Sequence, residues 1–100
     1  MLPPPYGVEE AAVPTVIAYH EIDDQEHWLA SANRQKFFGP LGVTGIREFV
    51  DPQNPSRVAV LMEIPDMDAV TAALQTDEAA RVMGEDGVRP ETLVILVAAT

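Results

Sequence analysis

The last strand-like segment of the chain, Glu91–Ala98, is apolar at nearly every position, so that both of its faces are apolar. A strand with one face in water alternates apolar and polar residues, whereas a strand buried on both faces reads as an almost continuous apolar run. The segment Arg57–Ile64 shows the same weak alternation. A chain of 100 residues has only two helical regions to cover one face of such a sheet. We therefore expect a homodimer, in which a second copy covers the other face.

The first half of the chain changes from strand-like to helix-like spacing. β-branched and aromatic residues indicate a strand over Thr15–Ile22, and Asp23-Asp24 is typical of a helix start. Gly39-Pro40 should end that helix, because proline disfavours helix in the residue before it. The 3.6-residue period places these side chains on the expected core-facing side: Trp28, Leu29, Ala32, Gln35 and Phe38. It points most of the others elsewhere: Ala30, Asn33, Arg34 and Phe37.

The second half completes a known order of elements. Strands are predicted over Val43–Val50 and Arg57–Ile64, joined by a proline- and asparagine-containing reversal. A helical region then starts at Pro65-Asp66, with a second cap and a break at Thr76-Asp77, and the strand Glu91–Ala98 follows. The resulting βαββαβ order predicts an α+β, ferredoxin-like domain over residues 14–100, with both helical regions on one face of a four-stranded antiparallel sheet. Residues 1–13, which contain three consecutive prolines, are expected to be a tail.

Composition and missing motifs exclude several functions. Sixteen acidic and six basic residues give a net charge of −10, which argues against nucleic-acid partners and anionic membranes. The chain has no cysteine, and its longest apolar run is too short to cross a bilayer, so we expect a cytoplasmic protein without a membrane span. Phosphate-binding loops and nucleophile elbows are absent, and His20 and His27 do not fit a metal-ligand spacing. We expect no cofactor and no metal, and the acidic surface disfavours haem.

One motif makes the fold expectation more specific. His20-x-Ile22-x-Asp24-x-x-x-Trp28 resembles a pattern of small dimeric α+β barrel proteins that are similar to antibiotic-biosynthesis monooxygenases and are sometimes called cyclases. The resemblance extends over about residues 15–98. It implies a dimer whose two sheets enclose a barrel-like space, with a small ligand site between sheet and helices. It implies no single reaction, because this fold carries several chemistries.

The residues of the motif have a structural and a functional interpretation. His20 can act as a general base or bond a ligand oxygen, or it can fix the turn by bonding Asp24. Asp24 is otherwise a helix cap, and Trp28 is core packing or one wall of a pocket. Tyr19, Arg47 and Glu63 are further candidates for ligand binding, although Tyr19 should point to the opposite sheet face from His20. For Arg47 and Glu63 we favour a cross-strand ion pair.

These observations lead to three hypotheses for function. The first is a homodimer that binds a small, largely apolar organic molecule, without a defined reaction. The second is a cofactor-independent monooxygenase or polyketide-type cyclase in which His20 removes a proton from an activated carbon or a phenol. The third is a structural or accessory dimer without a pocket. An enclosed cavity of roughly 300 Å³ or more beside His20 would favour the first two hypotheses, whereas filled side-chain packing there would favour the third.

Overall fold

A computed structural model describes residues 14–99, so the predicted tail, residues 1–13, lies outside the described residues. The elements in chain order are β1 (Thr15–Ile22), α1 (Gln25–Ala30), α2 (Asn33–Phe38), β2 (Thr44–Asp51), β3 (Asn54–Glu63), α3 (Met67–Leu74), α4 (Asp77–Glu85) and β4 (Val88–Val97). A single 3-10 turn, Gly39–Leu41, follows α2. None of the helices within residues 14–99 is long and apolar enough to cross a membrane.

The four strands form one antiparallel sheet in the order β2-β3-β1-β4. This order and the arrangement of the helices are those of a ferredoxin-like α+β fold, as the sequence predicts. The face of the sheet that carries Val16, Ala18 and Ile22 of β1 is buried together with Val58, Val60 and Met62 of β3. Trp28 of α1 and Val70 of α3 belong to the same core cluster, so the helices pack on this inner face.

The first helical region differs from the expectation, because it is two short helices and not one. Asp24 caps α1 as predicted, since its carboxylate accepts the His27 backbone N–H at 3.2 Å. The helix ends at Ser31, whose extended backbone starts a new turn before α2. The expected core-facing side is therefore correct at Trp28 and wrong at three positions that are exposed: Leu29, Ala32 and Gln35. The break also turns Arg34, which was expected to point away from the core, into a buried position.

The second helical region breaks where the sequence predicts. Asp66 caps α3 by accepting the Ala69 N–H at 3.0 Å, and Thr76 caps α4 by accepting the Ala79 N–H at 3.2 Å. Gly87 follows α4 with a φ of 72°, a left-handed conformation that suits glycine. The strand boundaries shift slightly: β3 begins at Asn54 and β4 at Val88, both three residues before the predicted starts.

The pairing of β1 with β4 contains a bulge opposite His20. Tyr19 pairs with Val94 while Glu21 pairs with Arg89, so β4 spans this interval with more residues than β1. Pro90 lies in the bulge and has no N–H to donate to β1. Thr92 replaces the missing ladder contacts, because its Oγ1 accepts the Glu21 N–H at 2.8 Å and donates to the Arg89 carbonyl at 2.6 Å. Bulges of this kind often lie beside functional sites.

The outer face of the sheet is apolar and exposed. Five large side chains on this face are each 38–53% exposed: Ile17, Tyr19, Phe49, Val94 and Leu96. Their register places them together, since Tyr19 pairs with Val94 and Ile17 with Leu96. The sheet is therefore apolar on both faces, and the described residues of one chain cover only the inner one.

Candidate functional site

A partly open cavity of about 110 Å³ lies between the inner face of the sheet and the helices, smaller than the roughly 300 Å³ expected for an enclosed ligand site. Most of its wall is apolar, with contributions from Ala18, Met62, Phe38, Val82 and Leu93. The described residues include three buried side chains that are polar or charged, and all three lie in this wall: His20, Arg34 and Asp86. An apolar cavity with a few placed polar groups is typical of a small-molecule site.

β1 carries His20 into the cavity, and the imidazole is only 7% exposed. Its Nδ1 lies 3.5 Å from the Glu21 carbonyl oxygen, which only accepts hydrogen bonds. This contact favours the tautomer with the hydrogen on Nδ1 and leaves the lone pair on Nε2, for which the structure of residues 14–99 shows no hydrogen-bond partner. His20 does not bond Asp24, so the turn-fixing interpretation is wrong.

Burial lowers the pKa of His20 below its usual value of 6.5. The Glu21 carbonyl opposes this shift, and the positive charge of Arg34 adds to it. The imidazole is therefore neutral at pH 7, with an unshared pair that can accept a proton or a hydrogen bond.

Trp28 connects His20 to the helices. The indole is 1% exposed and meets the imidazole edge to face, with ring centroids 5.8 Å apart and an interplanar angle of 76°. The indole also contacts Arg34, whose guanidinium carbon lies 4.1 Å from the indole centroid. Trp28 is thus both core packing and a wall of the cavity, which are the two roles the sequence left open.

Arg34 and Asp86 form a buried ion pair in the same wall. Arg34 Nη1 lies 3.4 Å from Asp86 Oδ2, while Nε donates to Glu48 at 3.1 Å and Nη2 to the Trp28 carbonyl at 2.7 Å. Asp86 also accepts from Ser31 Oγ at 2.7 Å and from Asn33 Nδ2 at 2.9 Å. Neither Arg34 nor Asp86 is predicted as a site residue from the sequence, because a charged side chain in a helix or at its end ordinarily faces water.

Four of the sequence-predicted site residues do not line this cavity. Asp24 caps α1, and Tyr19, Arg47 and Glu63 belong to the outer face of the sheet, as Tyr19 was expected to. The expected ion pair between Arg47 and Glu63 is not among those of residues 14–99. The register explains this, because Arg47 pairs with Leu61 and Glu63 accepts a hydrogen bond from Thr15 at 3.0 Å. A ligand role for these residues in a space enclosed by two subunits stays a prediction.

An open cleft of about 370 Å³ lies beside the cavity, between α4 and the start of β4. Four residues line both spaces: Leu74, Met83, Val88 and Leu93.

The described residues offer no cluster of three or more side chains able to hold a metal ion. With one neutral imidazole, a neutralised guanidinium and apolar walls, the site can bind an uncharged ring, accept a hydrogen bond from it and remove a proton.

No protein-family model and no curated protein matches the sequence. The fold, however, is shared with solved structures. A crystal structure of an antibiotic biosynthesis monooxygenase aligns with a TM-score of 0.56 and 16% identity over 87% of this chain and 97% of that one. A protein from Bordetella bronchiseptica, provisionally assigned to the same class, aligns with a TM-score of 0.64 and 15% identity over 87% and 95% of the two chains. A similarly assigned protein from Nitrosomonas europaea gives a TM-score of 0.60, 12% identity and coverages of 87% and 97%.

These comparisons confirm the resemblance inferred from the sequence at the level of the fold. The chain has the α+β fold of antibiotic biosynthesis monooxygenase-like proteins over most of its length. Identities of this size carry the architecture and not the reaction.

Proposed function

We propose that this protein binds a small, largely apolar organic molecule whose hydroxyl group donates a hydrogen bond to Nε2 of His20. The observation that carries the proposal is the apolar cavity, into whose wall a buried, neutral imidazole is built with an unpartnered acceptor. Nε2 is not sealed from solvent, since residues 14–99 include no fully buried side-chain nitrogen or oxygen without a hydrogen-bond partner, so water or a ligand hydroxyl can reach and bond it. A hydroxyl-bearing ligand satisfies Nε2 and fills the apolar space.

The size of the cavity limits the part of the ligand that lies beside His20. Apolar cavities of about 150 Å³ bind benzene, and this one measures about 110 Å³. We therefore infer a single ring next to His20, with any larger part of the molecule extending into the cleft between α4 and β4. Phenol is a suitable probe, and toluene is its match in shape without the hydroxyl.

The experiment compares phenol and toluene binding to the purified protein by calorimetry and by the emission of Trp28, the single tryptophan. Both ligands should bind, and phenol should bind more tightly by about 0.5–1.5 kcal/mol, the net value of one hydrogen bond. His20→Leu should remove that preference. His27→Leu is the matched histidine control: His27 is exposed and does not line the cavity, and the change removes its 2.6 Å hydrogen bond with the Glu85 carbonyl.

Absence of binding by either ligand would contradict the proposal and favour the third hypothesis, a structural or accessory dimer. Binding of both ligands with equal affinity would contradict only the proposed hydrogen bond to His20, and ligand binding to the cavity would stand.

A catalytic function is a second candidate, favoured by the neutral state of His20. A neutral imidazole with its lone pair in an apolar site is suited to remove a proton from a phenol or an activated carbon, as a cofactor-independent monooxygenase or a polyketide-type cyclase requires. A one-ring hydroquinone is a suitable probe for the oxygen-dependent reaction: once deprotonated it is oxidised to the quinone while O2 is reduced to hydrogen peroxide, so oxygen consumption above the spontaneous rate tests for the base. Activity that survives in His20→Leu would exclude His20 as the base.

We also propose that the outer face of the sheet is covered by a second copy of the chain. Its exposed apolar side chains come from three strands and include Tyr19, Phe49 and Leu96, and apolar patches of this kind commonly mark interfaces. Analytical ultracentrifugation should show a dimer that Leu96→Lys dissociates. Leu29→Lys is the control, since Leu29 is also exposed but lies on α1. A wild-type monomer at micromolar concentration would refute the proposed dimer.

We also propose a cytoplasmic location, because a protein without cysteine forms no disulfide and needs no oxidising compartment.

A further inference from the structure

Arg34 is buried to a degree that is unusual for its type. Its side chain is 7% exposed, in a chain that carries only six basic residues. Removing a guanidinium from water is costly unless charged and hydrogen-bonding partners compensate, and such pairs rarely add stability over apolar packing. A buried arginine in the wall of a cavity therefore calls for a role beyond holding the fold.

The hydrogen-bond partners of Arg34 come from separate parts of the fold, and together they hold its guanidinium over the Trp28 indole. Glu48 lies on β2, Asp86 follows α4, and the Trp28 carbonyl belongs to α1. The guanidinium plane carbon is 4.1 Å from the indole centroid, within range of a cation–π contact. The carbonyl bond and the ring contact hold the same residue, so they fix both the backbone and the side chain of Trp28.

Trp28 in turn restrains the orientation of the His20 imidazole. His20 meets the indole edge to face at 5.8 Å, and its only hydrogen bond within residues 14–99 is the long contact with Glu21. A contact of 3.5 Å holds a ring weakly. Packing against the indole is therefore one restraint on the direction of Nε2.

We propose that Arg34 is a positioning residue, which clamps Trp28 against His20 so that Nε2 faces the cavity. This inference rests on the proposed function, since it concerns the orientation of the group that bonds the ligand. Arg34 acts through Trp28 and needs no contact with the ligand.

Lysine can replace the charge of Arg34 but not its geometry. An ammonium group is compact and cannot bond Glu48, Asp86 and the Trp28 carbonyl while lying flat on the indole. Arg34 and Asp86 are the charged groups that line the cavity with His20, whose neighbours on β1 and β3 are Ala18, Ile22 and Val58. Arg34→Lys therefore keeps the charges around His20 and removes the clamp.

The test measures the preference for phenol over toluene in wild type, Arg34→Lys and Arg81→Lys. Wild type should prefer phenol by about two- to twelvefold. Arg34→Lys should reduce this ratio to about one, with toluene affinity changed less than about threefold, and should shift the Trp28 emission maximum. Arg81→Lys should behave as wild type, because Arg81 is exposed and pairs with Glu85 outside the cavity.

The outcomes separate the two proposals. If wild type shows no preference for phenol, the proposed role of His20 fails, and the role of Arg34 fails with it. If wild type shows the preference and Arg34→Lys keeps it, only the positioning role is overturned. A purely structural role would lower the melting temperature and leave the ratio unchanged. Should Arg34→Lys not fold, Arg34→Gln removes the guanidinium from the indole while Ser31 and Asn33 still donate to Asp86, and an unchanged phenol-to-toluene ratio in that variant also overturns the inference.

Discussion

Lowering the pH from about 7.5 to about 5.5 should destabilise this protein through His20. Burial lowers the pKa of the imidazole in the folded state below 6.5, whereas the unfolded chain titrates near 6.5. As the pH falls through 6.5, the unfolded state takes up a proton that the folded state does not. Stability contributed by neutral His20 is therefore present above pH 6.5 and is lost toward the folded-state pKa.

The size of the effect has an upper limit. If folded His20 stays neutral over this interval, proton binding to the unfolded state alone lowers the free energy of unfolding by about 1.4 kcal/mol. Other groups also contribute to the pH dependence of stability, so the effect of His20 must be read as a difference between variants. His20→Asn removes the titrating group, and His27→Asn is the matched control.

The assay is urea denaturation followed by Trp28 emission at both pH values. Wild type and His27→Asn should lose up to about 1.4 kcal/mol more than His20→Asn on acidification. Equal losses in wild type and His20→Asn, or a relative gain by wild type at the lower pH, would refute the depressed pKa and with it the neutral imidazole of the proposed site.

Three further substitutions test the fold around the site by the same denaturation assay. Gly84→Ala should stabilise the protein by up to about 1 kcal/mol, because Gly84 lies in α4 with no atom within 4 Å of an added Cβ. Gly87→Ala should destabilise it by about 1–2 kcal/mol, because the φ of Gly87 is 72°. Similar effects at both positions would contradict the helix boundary. Asp66→Ala should lose about 1 kcal/mol with the cap of α3, and an unchanged midpoint would exclude the cap. Thr92→Val should cost about 1–3 kcal/mol, since it leaves a bulge N–H and a carbonyl unpaired, and a neutral result would mean that water replaces the hydroxyl.

The sheet could be predicted because its signals are local. Thr15–Ile22 is rich in residues that favour strands, and its alternation places His20 and Tyr19 on opposite faces, as the structure confirms. The helix caps at Asp24, Asp66 and Thr76 could also be predicted, because each capping side chain is adjacent in sequence to the helix that it starts.

The ion pair expected between Arg47 and Glu63 does not form, because the register of the strands keeps the two side chains apart. Cross-strand pairing depends on register, and β2 carries an irregularity between Thr44 and Arg47 that includes Gly45 at a φ of 64°. Glu63 meets Thr15 of β1 on its other side. Neither the irregularity nor the third strand is visible in the spacing of the two charged residues.

The site itself arises from the break between α1 and α2. On one continuous helix Arg34 would lie six residues after Trp28, about 120° away around the axis, where it could not cover the indole. Neither Ser31 nor Ala32 is a strong helix breaker, so local propensity does not predict the interruption. A long-range bond holds it, since Ser31 Oγ donates to Asp86 at 2.7 Å while accepting the nearby Asn33 N–H at 3.1 Å. Because Asp86 both holds the break and neutralises Arg34, the same tertiary contact that interrupts the helix makes the buried guanidinium tolerable beside His20.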